Sequence, residues 1–381
     1  MIFDTYTPQM AEVHIKAIMQ LMKEGTPREH IAKHLNLRDI DELVSIAKAR
    51  LTSKKTAKEY YMMEDDLRFA TNEVVAEYRA KRLACNTLVD IGCGVGIQTL
   101  AFARTCKRVI AVDIDARKVR YALENAKKHD INNVEFVHGD GLKVLETLKK
   151  ADAIFVDPER APEEDVRDIA KSFRPNLLTL IKTASKVSPN IAIELPPQIR
   201  EVPFDCEKEY TSFNHELNRL TVYLGSLKKA DRSAVVLPGR HVLQPGTEGV
   251  LQNSGALSYL YEVDPAVAKA GLTPALADGR TFLYSEERDI LLTSDTLRTS
   301  PYFKARYEIV EAVPNKFEKI MEVLKWENAG SVVLRAKIDP RSYWAERKQY
   351  EKHLKGDKCC HVFIFKHEAL VCRKLPVSEL C

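Results

Sequence analysis

Four aspartates, each closing a short apolar run, are the side chains of this sequence best placed to do chemistry. Asp90 lies in Leu88-Val-Asp-Ile-Gly-Cys-Gly-Val-Gly96, and Asp113 follows Arg108-Val-Ile-Ala-Val112. Asp140 follows Val134-Glu-Phe-Val-His-Gly139, and Asp157 follows Asp152-Ala-Ile-Phe-Val156. Apolar runs of this length read as buried strands, and ligands of open parallel sheets bind at strand carboxyl ends. Four such ends converge on one crevice. Gly92, Gly94 and Gly96 add a turn whose backbone angles and close approach exclude a Cβ. Ile97 to Arg104 then supplies a helix whose first amides face whatever binds above it. Alone, this turn is compatible with a dinucleotide site or with a plain structural turn.

The acids narrow the reading. Asp113 stands at roughly the twenty-residue spacing at which a carboxylate takes two ribose hydroxyls. Asp90, inside D-x-G-x-G-x-G, would face the phosphates of a dinucleotide, where a carboxylate is unfavourable. A cofactor with a sulfonium, an amino-acid tail and no phosphate makes use of that acid. Asp140 can accept a hydrogen bond from an adenine amino group. In this order and spacing the residues resemble the class I S-adenosylmethionine-dependent methyltransferases, over roughly Leu67 to Pro238. The resemblance implies S-adenosylmethionine as cofactor, its methionine part held by Asp90, Gly92, Gly94 and Gly96. It further implies ribose on Asp113, adenine on Asp140, and a methyl acceptor bordered by Asp157 and Pro158.

The acceptor chemistry rests on Asp157-Pro158-Glu159-Arg160. The family's acceptor motif is often Asp/Asn-Pro-Pro followed by an aromatic; here the second proline and the aromatic are absent. Val89 to Gly96 and Val109 to Asp115 are also similar to trimethylguanosine synthases, which carry a tryptophan after the prolines. Methylation at a pyrimidine carbon 5 needs a cysteine nucleophile, and none lies in or beside Asp157 to Arg160; Cys206, in Pro203-Phe-Asp-Cys206, is the candidate beyond that loop and lacks the surrounding motif. Direct transfer to nitrogen or oxygen needs only positioning and a hydrogen bond that raises acceptor nucleophilicity. Asp157 is then the orienting group or general base. Arg160 holds a phosphate or pairs with a neighbouring acid.

Three helices precede this core, over Val13 to Met22, from Thr26 as N-cap with Pro27 at the first position, and from Ile40 to Leu51. Their spacing is similar to a helix-turn-helix, and equally to a small bundle that packs on a neighbour. Lys48, Arg50, Lys54, Lys55 and Lys58 form an acid-free basic stretch suited to a phosphate backbone. Ile191 to Leu195 reads as the fifth strand, and Leu217 to Gly225 with Arg232 to Pro238 as the antiparallel pair closing the sheet. Gly239 to Asn253 reads as a linker. Beyond it, a helix over Asp264 to Ala270, strands over Arg306 to Val313, Ser331 to Ile338 and His361 to Lys366, and a helix over Lys316 to Lys325 make an α+β pattern. Arg68-Phe-Ala-Thr71, the Asp157 loop, the Arg232 strand and Tyr259-Leu-Tyr-Glu-Val-Asp-Pro265 resemble bacterial and archaeal methyltransferases ending in a THUMP-like domain, which implies RNA contact.

The expected fold is α/β: a Rossmann-like class I sheet (59–240) between a helical domain (1–58) and a THUMP-like α+β domain (241–381). With 45% hydrophobic and 29% charged residues and a net charge of +4, the 381-residue chain reads as soluble, with no apolar run long enough to span a bilayer. Its N-terminus lacks signal-peptide order. The eight cysteines show no zinc spacing, so no metal is expected, and a reducing, cytoplasmic compartment is the simpler reading. The expected function is methylation of RNA, such as tRNA or another structured RNA, at a base nitrogen. A protein or small-molecule acceptor, or a non-enzymatic RNA- or cofactor-binding module, stays open at this level.

Overall fold

A computed structural model describes residues 2–37, 40–160, 173–174, 176–199, 201–246 and 249–376. The chain divides into two compact units, Met1–Lys208 with Arg219–Asp231, and Glu209–Asn218 with Arg232–Cys381.

The first unit begins with α1 (Ile2–Thr5), α2 (Pro8–Lys23), α3 (Arg28–Leu35), α4 (Asp41–Thr52), α5 (Glu64–Phe69) and α6 (Glu73–Arg82). Strands and helices then alternate: β1 (Thr87–Ile91), α7 (Ile97–Ala103), β2 (Arg108–Asp113), α8 (Ala116–Lys128), β3 (Val134–His138), α9 (Gly141–Thr147) and β4 (Ala153–Val156). After the small pair β5 (Glu159–Arg160) and β6 (Phe173–Arg174) come α10 (Leu177–Ala184) and β7 (Ile191–Leu195), and then β8 (Glu207–Phe213) and β9 (Glu216–Tyr223), of which residues 209–218 belong to the second unit and 219–223 to the first. The strand order is β9-β7-β4-β1-β2-β3. β7, β4, β1, β2 and β3 run parallel, and β9 is antiparallel to β7. Alternating strands and helices in this order produce an open, doubly wound sheet.

Register assigns the two faces. Asp90 pairs with Phe155 and Phe155 with Ala192, while Ile91 pairs with Val156 and Val156 with Ile193. Side chains alternate along a strand. One face therefore carries Leu88, Asp90, Phe155, Ala192, Glu194, Thr221 and Tyr223, and the other Val89, Ile91, Ile154, Val156, Ile193 and Val222. The first face is covered by α6, whose Ala76 and Ala80 join Leu88, Phe102, Phe155, Ala192 and Tyr223 in one apolar cluster. Apolar residues fill its lower rows and charges its upper rows.

The N-terminal helices share a second apolar cluster with Val95, Ile97, Leu100, Tyr121 and Ala126 of the glycine loop, α7 and α8. Buried Asn125 joins the parts: its Oδ1 accepts the Tyr61 N–H at 2.6 Å, and its Nδ2 donates to the carbonyls of Tyr61 and Val95 at 3.0 and 2.9 Å. The helix expected to start with Thr26 as cap starts one residue later. Pro27 occupies the cap position in an extended conformation and makes no side-chain capping bond.

The second unit contains β10 (Arg232–Leu237), β11 (His241–Leu243), β12 (Tyr259–Val263), α11 (Pro265–Lys269), β13 (Phe282–Ser285), β14 (Leu291–Ser294), β15 (Phe303–Pro314), α12 (Phe317–Trp326), β16 (Ala329–Arg335), α13 (Tyr343–Glu351), β17 (Lys358–Ile364) and β18 (Glu368–Leu375). Its seven-stranded sheet has the order β13-β14-β12-β15-β18-β17-β16. Only β16 and β17 are parallel among its register-defined pairs. The closing antiparallel pair expected from residues 217–225 and 232–238 is not formed: β8 lies between β9 and β10. Asn214 and His215, both at positive φ (50° and 58°), make the two-residue turn that folds β9 back on β8.

Candidate active site

The carboxyl ends of β1, β2, β3 and β4 bring the sequence-predicted acids to one edge of the sheet. Gly92, Gly94 and Gly96 all adopt left-handed φ, at 82°, 55° and 90°. A Cβ on Gly92 would lie 2.5 Å from the Asp157 carbonyl oxygen, so this glycine lets the β1 loop touch the β4 end. A Cβ on Gly94 would meet no heavy atom within 4 Å. The loop therefore opens a cradle at its middle glycine.

Asp113 shapes that cradle. Its Oδ2 accepts the Gly94 N–H at 2.8 Å and its Oδ1 the Asp115 N–H at 2.9 Å. Asp90 is buried; Thr99 Oγ1 donates to its Oδ2 at 2.6 Å, while its Oδ1 has no hydrogen-bond partner. Burial, with the Asp113 charge adding to it, pushes the Asp90 carboxyl up to about 7. Asp140 lies beside this edge through the Gly139 N–H bonded to the Asp113 carbonyl at 2.9 Å. Its own carboxylate caps α9 by accepting the Leu142 N–H at 2.9 Å. An orphaned buried acceptor beside an open backbone cradle fits an ammonium-bearing ligand tail.

Asp157 follows β4, with its N–H donating to the Ile91 carbonyl at 3.0 Å. It is partly buried, and desolvation, then the Glu194 charge, push its carboxyl up to about 8. Pro158 beside it is buried. Arg160 lies in β5, paired by backbone with Phe173; its side chain lies outside the described residues.

Sequence reasoning missed the groups that flank Asp157. Glu194 of β7 is buried and pairs with Arg79 of α6, Nη2 to Oε2 at 2.6 Å, and with the Arg219 Nε of β9. Arg79 also donates to Gln98 Oε1 at 2.7 Å and stacks over Phe155 at 4.8 Å. Burial opposes ionisation of Glu194, yet the two arginines lower its pKa and keep it charged. The signal was present: a glutamate inside Ile191-Ala-Ile-Glu-Leu195, where every residue is buried.

The basic stretch is largely engaged inside the first unit. Arg50, its side chain only 2% exposed, pairs with Glu12 at 2.7 Å, and Lys58 pairs with Glu73. Lys55 Nζ donates to the Arg68 and Ala70 carbonyls at 2.8 and 2.7 Å. Lys48 reaches Glu64 at 4.0 Å and Lys54 is exposed. Of the stretch expected to face a phosphate backbone, Arg50 and Lys58 are thus paired with acids and Lys55 with carbonyls, while Lys48 and Lys54 keep exposed side chains.

Residues 85–223 match the family model described as a methyltransferase domain. The fold is that of the class I methyltransferases. Along 96% of its length the chain is similar to the crystal structure of a candidate methyltransferase from Porphyromonas gingivalis W83, with a TM-score of 0.73, 18% identity and 99% of that chain covered. At this identity the likeness concerns fold alone. An "uncharacterized RNA methyltransferase" of Synechocystis is 32% identical over 181 residues, 45% of this chain and 36% of that protein. The tRNA (uracil(54)-C(5))-methyltransferase of Schizosaccharomyces pombe is 39% identical over 75 residues, 19% of this chain and 14% of that one. The chain thus spans little more than a third of the length of these relatives, or less.

Proposed function

We propose that this chain is an S-adenosylmethionine-dependent methyltransferase acting on RNA, such as tRNA or another structured RNA, at a base nitrogen. The observation that carries the reading is the convergence of Asp90, the three left-handed glycines, Asp113 and Asp157 on one edge of the sheet. RNA as acceptor is favoured by the names of the similar proteins from Synechocystis and Schizosaccharomyces pombe. A THUMP-like assignment of the C-terminal segment and a cytoplasmic location belong to the same proposal, as do the functional segments 1–58, 59–240 and 241–381. Among the described residues no helix is long and apolar enough to cross a membrane.

The cofactor supplies a methyl group made electrophilic by its sulfonium. Asp90 Oδ1 would receive the α-ammonium of its tail, Asp113 the ribose hydroxyls, and Asp140 the adenine amino group. Asp157 and Pro158 would border the acceptor, with Asp157 orienting the amine and taking up its proton, and Arg160 would steer a phosphate. Carbon-5 chemistry would need a cysteine nucleophile at the acceptor loop, and the sequence has none in or beside Asp157 to Arg160. Burial pushes the Cys206 thiol up to about 11, and Cys93 in the glycine loop is also pushed up by burial. Neither thiol is poised to become a thiolate.

The test is incubation with labelled cofactor and total cellular RNA, with and without nuclease, followed by nucleoside analysis. A labelled N-methyl nucleoside is expected. Label on protein that survives nuclease would overturn the RNA reading. Asp157→Ala should lower the transfer rate by about 10²-fold or more, with calorimetric cofactor affinity nearly unchanged.

A further inference from the structure

Along the strand register, Val156 of β4 pairs with Ile193 of β7, so Asp157 and Glu194, one residue on in each, are neighbours on the same face of the sheet. Adjacent strands lie about 4.8 Å apart. Glu194 is fixed from both sides, by Arg79 from the covering helix and by Arg219 from the antiparallel strand. Arg79 is itself locked by Gln98 and the Phe155 ring, and only 2% of its side chain is exposed. Burying Glu194 and Arg79 costs desolvation that an apolar pair would avoid. Their place is informative: they lie in the upper, charged rows of the face that carries Asp90 and Asp157, above an apolar floor.

We propose that Glu194, clamped between Arg79 and Arg219, is a positioning residue that sets the orientation and proton affinity of Asp157 for the amine acceptor. The inference rests on the reading of Asp157 as the acceptor-side acid and deepens it. In the step it serves, the acceptor nitrogen forms the new N–C bond while the C–S bond breaks and its electron pair returns to sulfur. The nitrogen's proton then passes to Asp157. For this, Asp157 must be ionised before transfer yet basic enough to take a proton. The charged and titratable groups facing it are Glu194 from β7, Arg219 from β9, Arg79 from α6 and Asp90 from β1. Glu194 and, once ionised, Asp90 face two guanidiniums here, and burial raises Asp157 to about 8. Removing one member tips the balance in a direction that depends on its sign.

The experiment is a carbon-13 NMR titration of the Asp157 carboxyl in aspartate-labelled full-length protein, assigned by its loss in Asp157→Asn. In Glu194→Gln, two arginines face Asp157 with their partner neutralised, and its midpoint should fall by about one pH unit or more. In Arg219→Gln a positive charge is lost, and the midpoint should rise by a similar amount. The partly exposed Arg219 supplies a readout even if Glu194→Gln does not fold. The acid limb of the methyl-transfer pH profile should move with each midpoint. Opposed shifts support the inference; midpoints that stay put, or that move in the same direction as a general loosening would produce, overturn it. Opposed carboxyl shifts in a protein that transfers no methyl to any RNA would uphold the coupling and overturn the function proposed above.

Discussion

At the scale of the residue, Asp90 carries a conflict between stability and binding. Its carboxyl is raised in the fold to about 7, against roughly 3.9 for an unperturbed aspartate. The folded protein therefore holds this proton more tightly than the unfolded chain, so stability falls as pH rises from about 4 through 7. Asp157, raised to about 8, acts with the same sign. Urea melts of the cofactor-free protein should show declining stability between pH 5 and pH 8. Asp90→Asn should flatten this decline and exceed the wild type at pH 8 by on the order of 1–4 kcal/mol, while its calorimetric affinity for S-adenosylmethionine falls. A variant less stable than wild type at pH 8 would contradict the assigned strain. The glycines offer a second contrast. Gly94→Ala strains only a left-handed backbone, at about 1–2 kcal/mol, and should fold while losing cofactor affinity. Gly92→Ala adds a clash with the Asp157 carbonyl, and its thermal transition should be markedly lower than that of Gly94→Ala.

At the scale of the element, the N-terminal helices are held by buried charge as well as by apolar contact. Glu12 of α2 meets Arg50 of α4 at 2.7 Å and Lys128 of α8 at 2.9 Å. Burial opposes ionisation of Glu12, but the two cations prevail and lower it to about 2. A carboxyl depressed in the fold contributes stability above its unfolded value of roughly 4.3, and the contribution is lost as pH falls towards 2. Arg50→Ala leaves this carboxylate with Lys128 alone and should cost about 1–3 kcal/mol in chemical denaturation. A loss below about 0.5 kcal/mol would mean that the pair behaves like an exposed one. The strands were legible one by one because each is an apolar run ending in an acid or a glycine. Ile191–Leu195 of β7 appears with the bounds its apolar composition predicts. β8 was not legible: Glu207-Lys-Glu-Tyr-Thr-Ser-Phe213 is largely polar, yet largely buried, and its hairpin turn lacks the expected Asn-Gly.

At the scale of the whole molecule, the chain is read in succession but folds by interleaving. Glu209–Asn218 belongs with Arg232–Cys381, while Arg219–Asp231 belongs with the first unit. The helices at the start of the chain bury Val95, Ile97 and Leu100 beside the glycine loop. Deleting residues 1–58 should expose this apolar surface. The expected result is aggregation in sedimentation and loss of cofactor binding; a well-behaved truncated protein with full affinity would show the helices to be an accessory. The sequence by itself determined the strand-turn-helix unit and the order of the four acids, because local rules of periodicity, glycine geometry and strand-end placement need no partner. Only the tertiary structure decided that Arg50, Lys55 and Lys58 serve internal acids and carbonyls. It alone brought Arg79, Glu194 and Arg219, from three distant stretches of chain, beside Asp157. Those relations depend on strand register and on which helix covers which face of the sheet, and neither is written in any single stretch of residues.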